Sequence, residues 1–82
     1  MPATITDASI EQKIRAVLPD FGVDADAITR DATLAELDVD SLDMAELSQI
    51  IEDEYGIRIA DEDLVKLETI DDTIKLVLSH AP

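Results

Sequence analysis

Asp40-Ser41-Leu42-Asp43-Met44-Ala45-Glu46-Leu47-Ser48-Gln49-Ile50-Ile51-Glu52-Asp53-Glu54-Tyr55-Gly56 is the stretch on which the fold turns. It reads as one helix. Asp40 or Ser41 starts it, because either side chain offers an oxygen to the free N–H groups of a first turn. Asp43 adds a negative charge at that positive end. Gly56 closes the other end, where a residue without Cβ takes up the left-handed conformation most easily. At about 100° per residue, Met44, Leu47, Ile51 and Tyr55 form a narrow stripe with Ile50 on its flank, which is a core face. Leu42 and Ala45 fall on the other side, beside Glu46, Gln49 and Asp53. A large aliphatic residue on that acidic face has two readings. It is an ordinary surface leucine, or it is an apolar contact ringed by carboxylates, suited to a partner with basic residues around an apolar socket.

Upstream, residues 1–6 read as a lead-in. Thr6 or Asp7 caps a first helix, with Glu11 soon after, and Ile10, Ile14, Val17 and Leu18 give it one apolar stripe. Pro19 and Gly22 stop it. Residues 19–40 carry turn formers and the spaced anchors Phe21, Val23, Ile28, Leu34 and Leu37. They predict a long ordered loop lying along the core, with a short helical turn around Leu34–Leu37. Loops of this length in a compact domain are often functional. Downstream, Ile57-Arg58-Ile59 predicts an extended link. Asp61 begins a short third helix with Leu64 and Leu67 inward. Thr69 begins a fourth, with Asp72 three residues on in a capping-box pattern. Ile70, Ile74, Val77 and Leu78 are its expected buried stripe, and His80-Ala81-Pro82 a tail. The expected fold is all-α: a small four-helix bundle of three longer helices and one short one, with a long first loop.

The 82 residues fit one small domain, whose thin core leaves little room for a deep cleft. Twenty acidic against six basic side chains give a formal net charge of −14. That sign excludes nucleic acid as a natural ligand and is repelled by an anionic membrane surface. It favours protein partners with basic patches. There is no cysteine, so disulfides and thiolate metal sites are excluded. No secretory signal and no apolar run of membrane-spanning length is visible, which predicts a cytoplasmic chain.

A self-sufficient active site is also missing. A serine nucleophile needs a nearby base, and the sole histidine, His80, stands two residues from the end. Asp38-x-Asp40-x-x-Asp43 fails as an EF-hand calcium loop, because its sixth position is Asp43 rather than Gly and its twelfth is Gln49. With Gly22 and Gly56 the only glycines, there is no glycine-rich phosphate loop. No catalytic residue and no metal ligand is assigned.

Asp40-Ser41-Leu42 resembles the Asp-Ser-Leu signature of acyl carrier proteins, the phosphopantetheine-binding carriers of discrete type. The likeness extends from Ser41-Leu42-Asp43-Met44-Ala45-Glu46-Leu47 to Glu52-Asp53-Glu54-Tyr55-Gly56-Ile57-Arg58-Ile59, Asp61-Glu62-Asp63-Leu64 and Thr69-Ile70-Asp71-Asp72. It spans about residues 8–79, the expected ordered core of a single acyl-carrier domain over residues 1–82. The resemblance implies 4′-phosphopantetheine on Ser41, placed there from coenzyme A by a separate phosphopantetheinyl transferase. It implies acyl groups held on the arm as thioesters and delivered to fatty-acid or polyketide enzymes, with the carrier a monomer and not an enzyme. Asp40, Leu42, Asp43, Ala45, Glu46 and Gln49 are the partner contacts it implies. Leu47, Ile51, Ile59, Leu64 and Leu67 are candidate lining residues for a sheltered acyl chain, each equally explained as ordinary core. Many family members have a hydrophobic residue where Gln49 stands, Pro where Ala60 stands, and Gly where Asp38 stands. The alternatives are a free-standing peptidyl or D-alanyl carrier, or an acidic helical adaptor with no prosthetic group.

Overall fold

The computed structural model describes residues 5–81. Residues 1–4 of the expected lead-in and Pro82 of the expected tail lie outside them. Four helices form: α1 (Asp7–Val17), α2 (Ser41–Tyr55), the single-turn α3 (Asp61–Leu64) and α4 (Ile70–Ser79). No strand occurs among the described residues, and Ile57–Ile59 joins α2 to α3 without regular secondary structure.

Each long helix starts on a reciprocal cap that satisfies N–H groups its first turn cannot. Thr6, one of the two expected caps, caps α1, with Ser9 in the answering position. Thr69 and Asp72 cap α4, as their spacing predicts. Asp40 and Asp43 cap α2. Gly56 ends α2 at φ 71°, its N–H donating to the Glu52 carbonyl at 2.8 Å.

The first connection is more structured than a long loop. It holds 3-10 turns at Leu18–Phe21 and Ala25–Ala27. A third turn follows at 34–37, where the sequence suggested one. Thr33 and Glu36 box its start, with Glu36 N–H donating to Thr33 Oγ1 at 3.0 Å and Thr33 Oγ1 donating to Glu36 Oε1 at 2.9 Å. Its end is a Schellman motif: Val39 N–H reaches the Leu34 carbonyl at 2.9 Å and Asp38 N–H the Ala35 carbonyl at 3.2 Å. Asp38 takes the left-handed position that the motif requires, at φ 57°.

The core gathers Ile10, Ile14 and Leu18 with Met44, Leu47 and Ile51 of α2 and Ile70, Ile74 and Val77 of α4. Val23, Ile28, Leu34, Leu37 and Val39 fasten the connection onto it. Tyr55 packs against the core as its stripe predicts, half-buried, its hydroxyl donating to the Ser9 carbonyl at 3.4 Å. One expectation about burial fails. Leu78 is 37% exposed, and Thr73 takes its place in the buried face. Positions 73 and 78 lie about 70° to either side of the centre of the α4 stripe. The threonine is tolerated inside because its Oγ1 donates to the Thr69 carbonyl at 3.1 Å.

Two long-range devices tie the connection to α4. Thr33 pairs with Thr69 in an isolated antiparallel bridge. Around it, Leu34 N–H donates to the Glu68 carbonyl at 2.8 Å, Ile70 N–H to that of Ala32 at 3.1 Å, and Asp71 N–H to that of Arg30 at 2.8 Å. The Arg30 guanidinium then spans three carboxylates. It reaches Glu11 at 3.0 Å, Asp7 at 3.1 Å, and Asp71 through Nε at 2.8 Å. Hydrogen bonds from Arg30 hold the Asp7 and Glu11 carboxyls below their usual range; Asp71 is lowered first by Lys75 and then by Arg30.

Candidate functional site

The entry to α2 is where the chemistry of this chain is exposed. Asp40 Oδ1 accepts from Asp43 N–H at 2.9 Å, and Asp40 N–H reaches Asp43 Oδ2 at 3.3 Å. Each carboxylate therefore has a structural task as well as a charge. Ser41 is the first helical residue, exposed, with its side chain free of the capping pair. The backbone N–H groups of Ser41 and Leu42 meet no acceptor among the described residues. They are unsatisfied donors at a positive helix end, where an anionic group is favoured.

Beside Ser41 opens a cleft of about 500 Å³. Its apolar walls are Leu34 and Val39 from the connection, Met44 and Ala45 from α2, and Leu64, Val65 and Leu67 from the α3 region, with Ser41, Asp40 and Asp61 at its polar parts. The structure divides the candidate lining set between its two readings. Leu64 and Leu67 do line the cleft. Leu47 and Ile51 are core residues, and Ile59 lines a separate groove. The sequence reading missed Leu34, Val39 and Val65. Leu34 had a signal as an anchor of the connection, but which cleft it faces depends on the bridge to α4.

Leu42 is 70% exposed, and Ala45, Glu46 and Gln49 are exposed beside it. Gln49 Nε2 donates to Asp53 Oδ1 at 3.1 Å along the same face. Asp43 is half-buried by its capping role. The structure thus brings Asp40, Ser41, Leu42, Ala45, Glu46 and Gln49 onto one accessible side of α2. Across the cleft, Val65 is 77% exposed. His80 caps the C-terminal end of α4 and lines no part of the cleft. No cluster of three or more metal-ligating side chains occurs among the described residues. No described helix is long and apolar enough to cross a membrane.

A serine hydroxyl offered from a helix start, on the lip of an apolar cleft, suits a residue that is modified by another enzyme. A helical platform that presents such a residue fits a carrier. Residues 12–77 match the family described as "Phosphopantetheine attachment site". The fold is similar to the crystal structure of an acyl carrier protein from Thermotoga maritima, with a TM-score of 0.74 and 29% identity over 89% of this chain and 86% of that one. The chain belongs to the phosphopantetheine-attachment family of acyl carrier proteins. It is a carrier rather than an enzyme, and its prosthetic group is covalent 4′-phosphopantetheine. The residues at the α2 entry fit such a group: an exposed hydroxyl for the phosphodiester, two unsatisfied N–H groups beside it, and an apolar cleft for what the arm carries.

Proposed function

We propose that Ser41 is the attachment residue and that the chain carries acyl intermediates for fatty-acid or polyketide synthesis. The observation behind this reading is the placement of Ser41: exposed, first in α2, and on the lip of an apolar cleft. During loading, the Ser41 oxygen forms a bond to a phosphorus of coenzyme A. The nucleotide half leaves and the hydroxyl proton passes to a base of the transferase. The arm, once attached, supplies the thiol that holds the acyl group as a thioester. The carrier's own residues present the hydroxyl, shelter apolar cargo and mark the docking face.

In this reading Asp40, Leu42, Asp43, Ala45, Glu46 and Gln49 meet the transferase and the acyl-handling enzymes, whose basic patches surround an apolar socket. The 70% exposure of Leu42 among carboxylates supports that role. The cleft beside Ser41 supports short or medium acyl chains resting against Leu64 and Leu67. We further take the chain as one domain over residues 1–82, working as a cytoplasmic monomer. Light scattering near 9.0 kDa checks the oligomeric state.

The test is intact-mass analysis after incubation with coenzyme A and a broad-specificity transferase. A phosphopantetheine adduct is expected on the wild-type chain and none on Ser41→Ala. No adduct on wild type returns the chain to an adaptor role, and an adduct that survives Ser41→Ala moves the site elsewhere.

A further inference from the structure

With six basic side chains against twenty acidic ones, a cation without a partner needs a reason. Lys13 pairs with Glu54, Arg15 with Glu11, Lys75 with Asp71, and Arg30 with three carboxylates. Among the described residues, only the side chains of Arg58 and Lys66 make no ion pair. Both are exposed. They differ in position. Arg58 lines a polar groove of about 300 Å³ with Ser48, Gln49, Glu52 and Asp61, between α2 and the entry to α3. Two carboxylates line that groove, yet the guanidinium pairs with neither. Ala45 and Asp61 line both this groove and the cleft beside Ser41, so the two adjoin end to end as a trough along the accessible side of α2. Lys66 lines neither.

We propose that Arg58 is a specificity-determining contact, pairing with a carboxylate on the enzyme that docks over α2. The inference rests on the carrier reading and adds to it the chemistry of the partner: a basic patch that contains one acidic residue opposite Arg58. A lone positive charge on a negative face fixes register, because the partner matches it in one orientation only. It also rejects a uniformly basic surface, which meets like charge at that point. The planar guanidinium suits a carboxylate better than an ammonium does, since it can donate two parallel hydrogen bonds.

The sign of one substitution tests this. Arg58→Glu and Lys66→Glu change the net charge equally, but only the first lies in the trough. Loading by a broad-specificity phosphopantetheinyl transferase is followed at varied carrier concentration, at low and high salt, after circular dichroism has shown both variants folded. Arg58→Glu is expected to raise KM about three- to tenfold with kcat little changed, while Lys66→Glu leaves KM equal or lower. Arg58→Gln is expected to fall between wild type and Arg58→Glu, and all differences shrink at high salt. A KM for Arg58→Glu equal to or below that of wild type overturns the proposal, since that is how a uniformly basic partner responds. An equal rise for Lys66→Glu overturns it too, by showing an effect of overall charge. A wild-type chain that takes up no arm overturns the carrier reading itself, a result distinct from either of these.

Discussion

Asp38 holds a backbone conformation that suits its neighbours better than itself. Its φ of 57° lies in the left-handed region, which glycine enters freely and which strains a side chain. The family resemblance leads one to expect Gly at this position, but the reason becomes visible only with the Schellman motif that Asp38 closes. Aspartate is among the better non-glycine occupants, so the strain is at the low end. Asp38→Gly is expected to stabilise the fold by about 0.5 kcal/mol in urea denaturation, the relief offset in part by a freer unfolded chain. Asp38→Val is expected to destabilise it by about 1–2 kcal/mol. Ala60 is the complementary case. It stands at the N-cap of α3 with φ −70° and no side-chain cap, and its N–H makes no hydrogen bond among the described residues. The proline that the family resemblance leads one to expect there has the φ it requires and breaks no hydrogen bond. Ala60→Pro is expected to raise stability by about 0.5–1 kcal/mol, read as a higher denaturation midpoint at unchanged slope.

At the scale of the helix, most of what matters is written within four residues. The Thr69–Asp72 and Asp40–Asp43 caps, the Gly56 stop and the inward face of α2 follow from spacing alone, and so does the exposed position of Leu42. What was not legible depends on partners remote in sequence. Thr73 and Leu78 sit almost symmetrically about the α4 stripe, and packing, not hydropathy, chose between them. The cleft walls Val39 and Val65 come together only because the connection is fixed against the rest of the fold. The double task of Asp40 can be separated by experiment. Asp40→Ala removes the cap and is expected to cost about 1 kcal/mol. Asp40→Asn keeps an oxygen for the Asp43 N–H and is expected to retain stability within about 0.5 kcal/mol. If the charge of Asp40 also serves docking, Asp40→Asn loads more slowly at low salt. Equal loading kinetics confine Asp40 to its capping role.

For the molecule as a whole, a net charge of −14 opposes compaction. Added sodium chloride or magnesium is expected to raise the melting temperature, and indifference to ionic strength overturns that expectation. Arg30 relieves the repulsion where α1 and α4 approach, and its contribution has a pH signature. Asp7, Glu11 and Asp71 titrate lower in the folded chain than their ordinary values of 3.8, 4.5 and 3.8. Their pairing therefore contributes fully above that range and is lost as pH falls through the lowered folded values. Arg30→Gln is expected to be less stable than wild type at neutral pH, with the gap closing below about pH 4. A gap that persists into acid shows that Arg30 acts through packing of its stem instead.

The three backbone hydrogen bonds that join Arg30, Ala32 and Leu34 to Asp71, Ile70 and Glu68 act as a clasp. They close residues 35–67 into a ring whose ends are fastened, with α2 locked into the core by Met44, Leu47 and Ile51 and the single turn of α3 hanging from the ring as a pendant. A pendant of one turn can shift or open without the frame of α1, α2 and α4 coming apart. Amide exchange should then divide in two. The Leu34, Ile70 and Asp71 amides exchange only on global unfolding, while the amides of α3 exchange through a cheaper, local opening. If the cleft holds cargo as proposed, its α3 wall can part to admit or release that cargo while the rest of the fold stays closed.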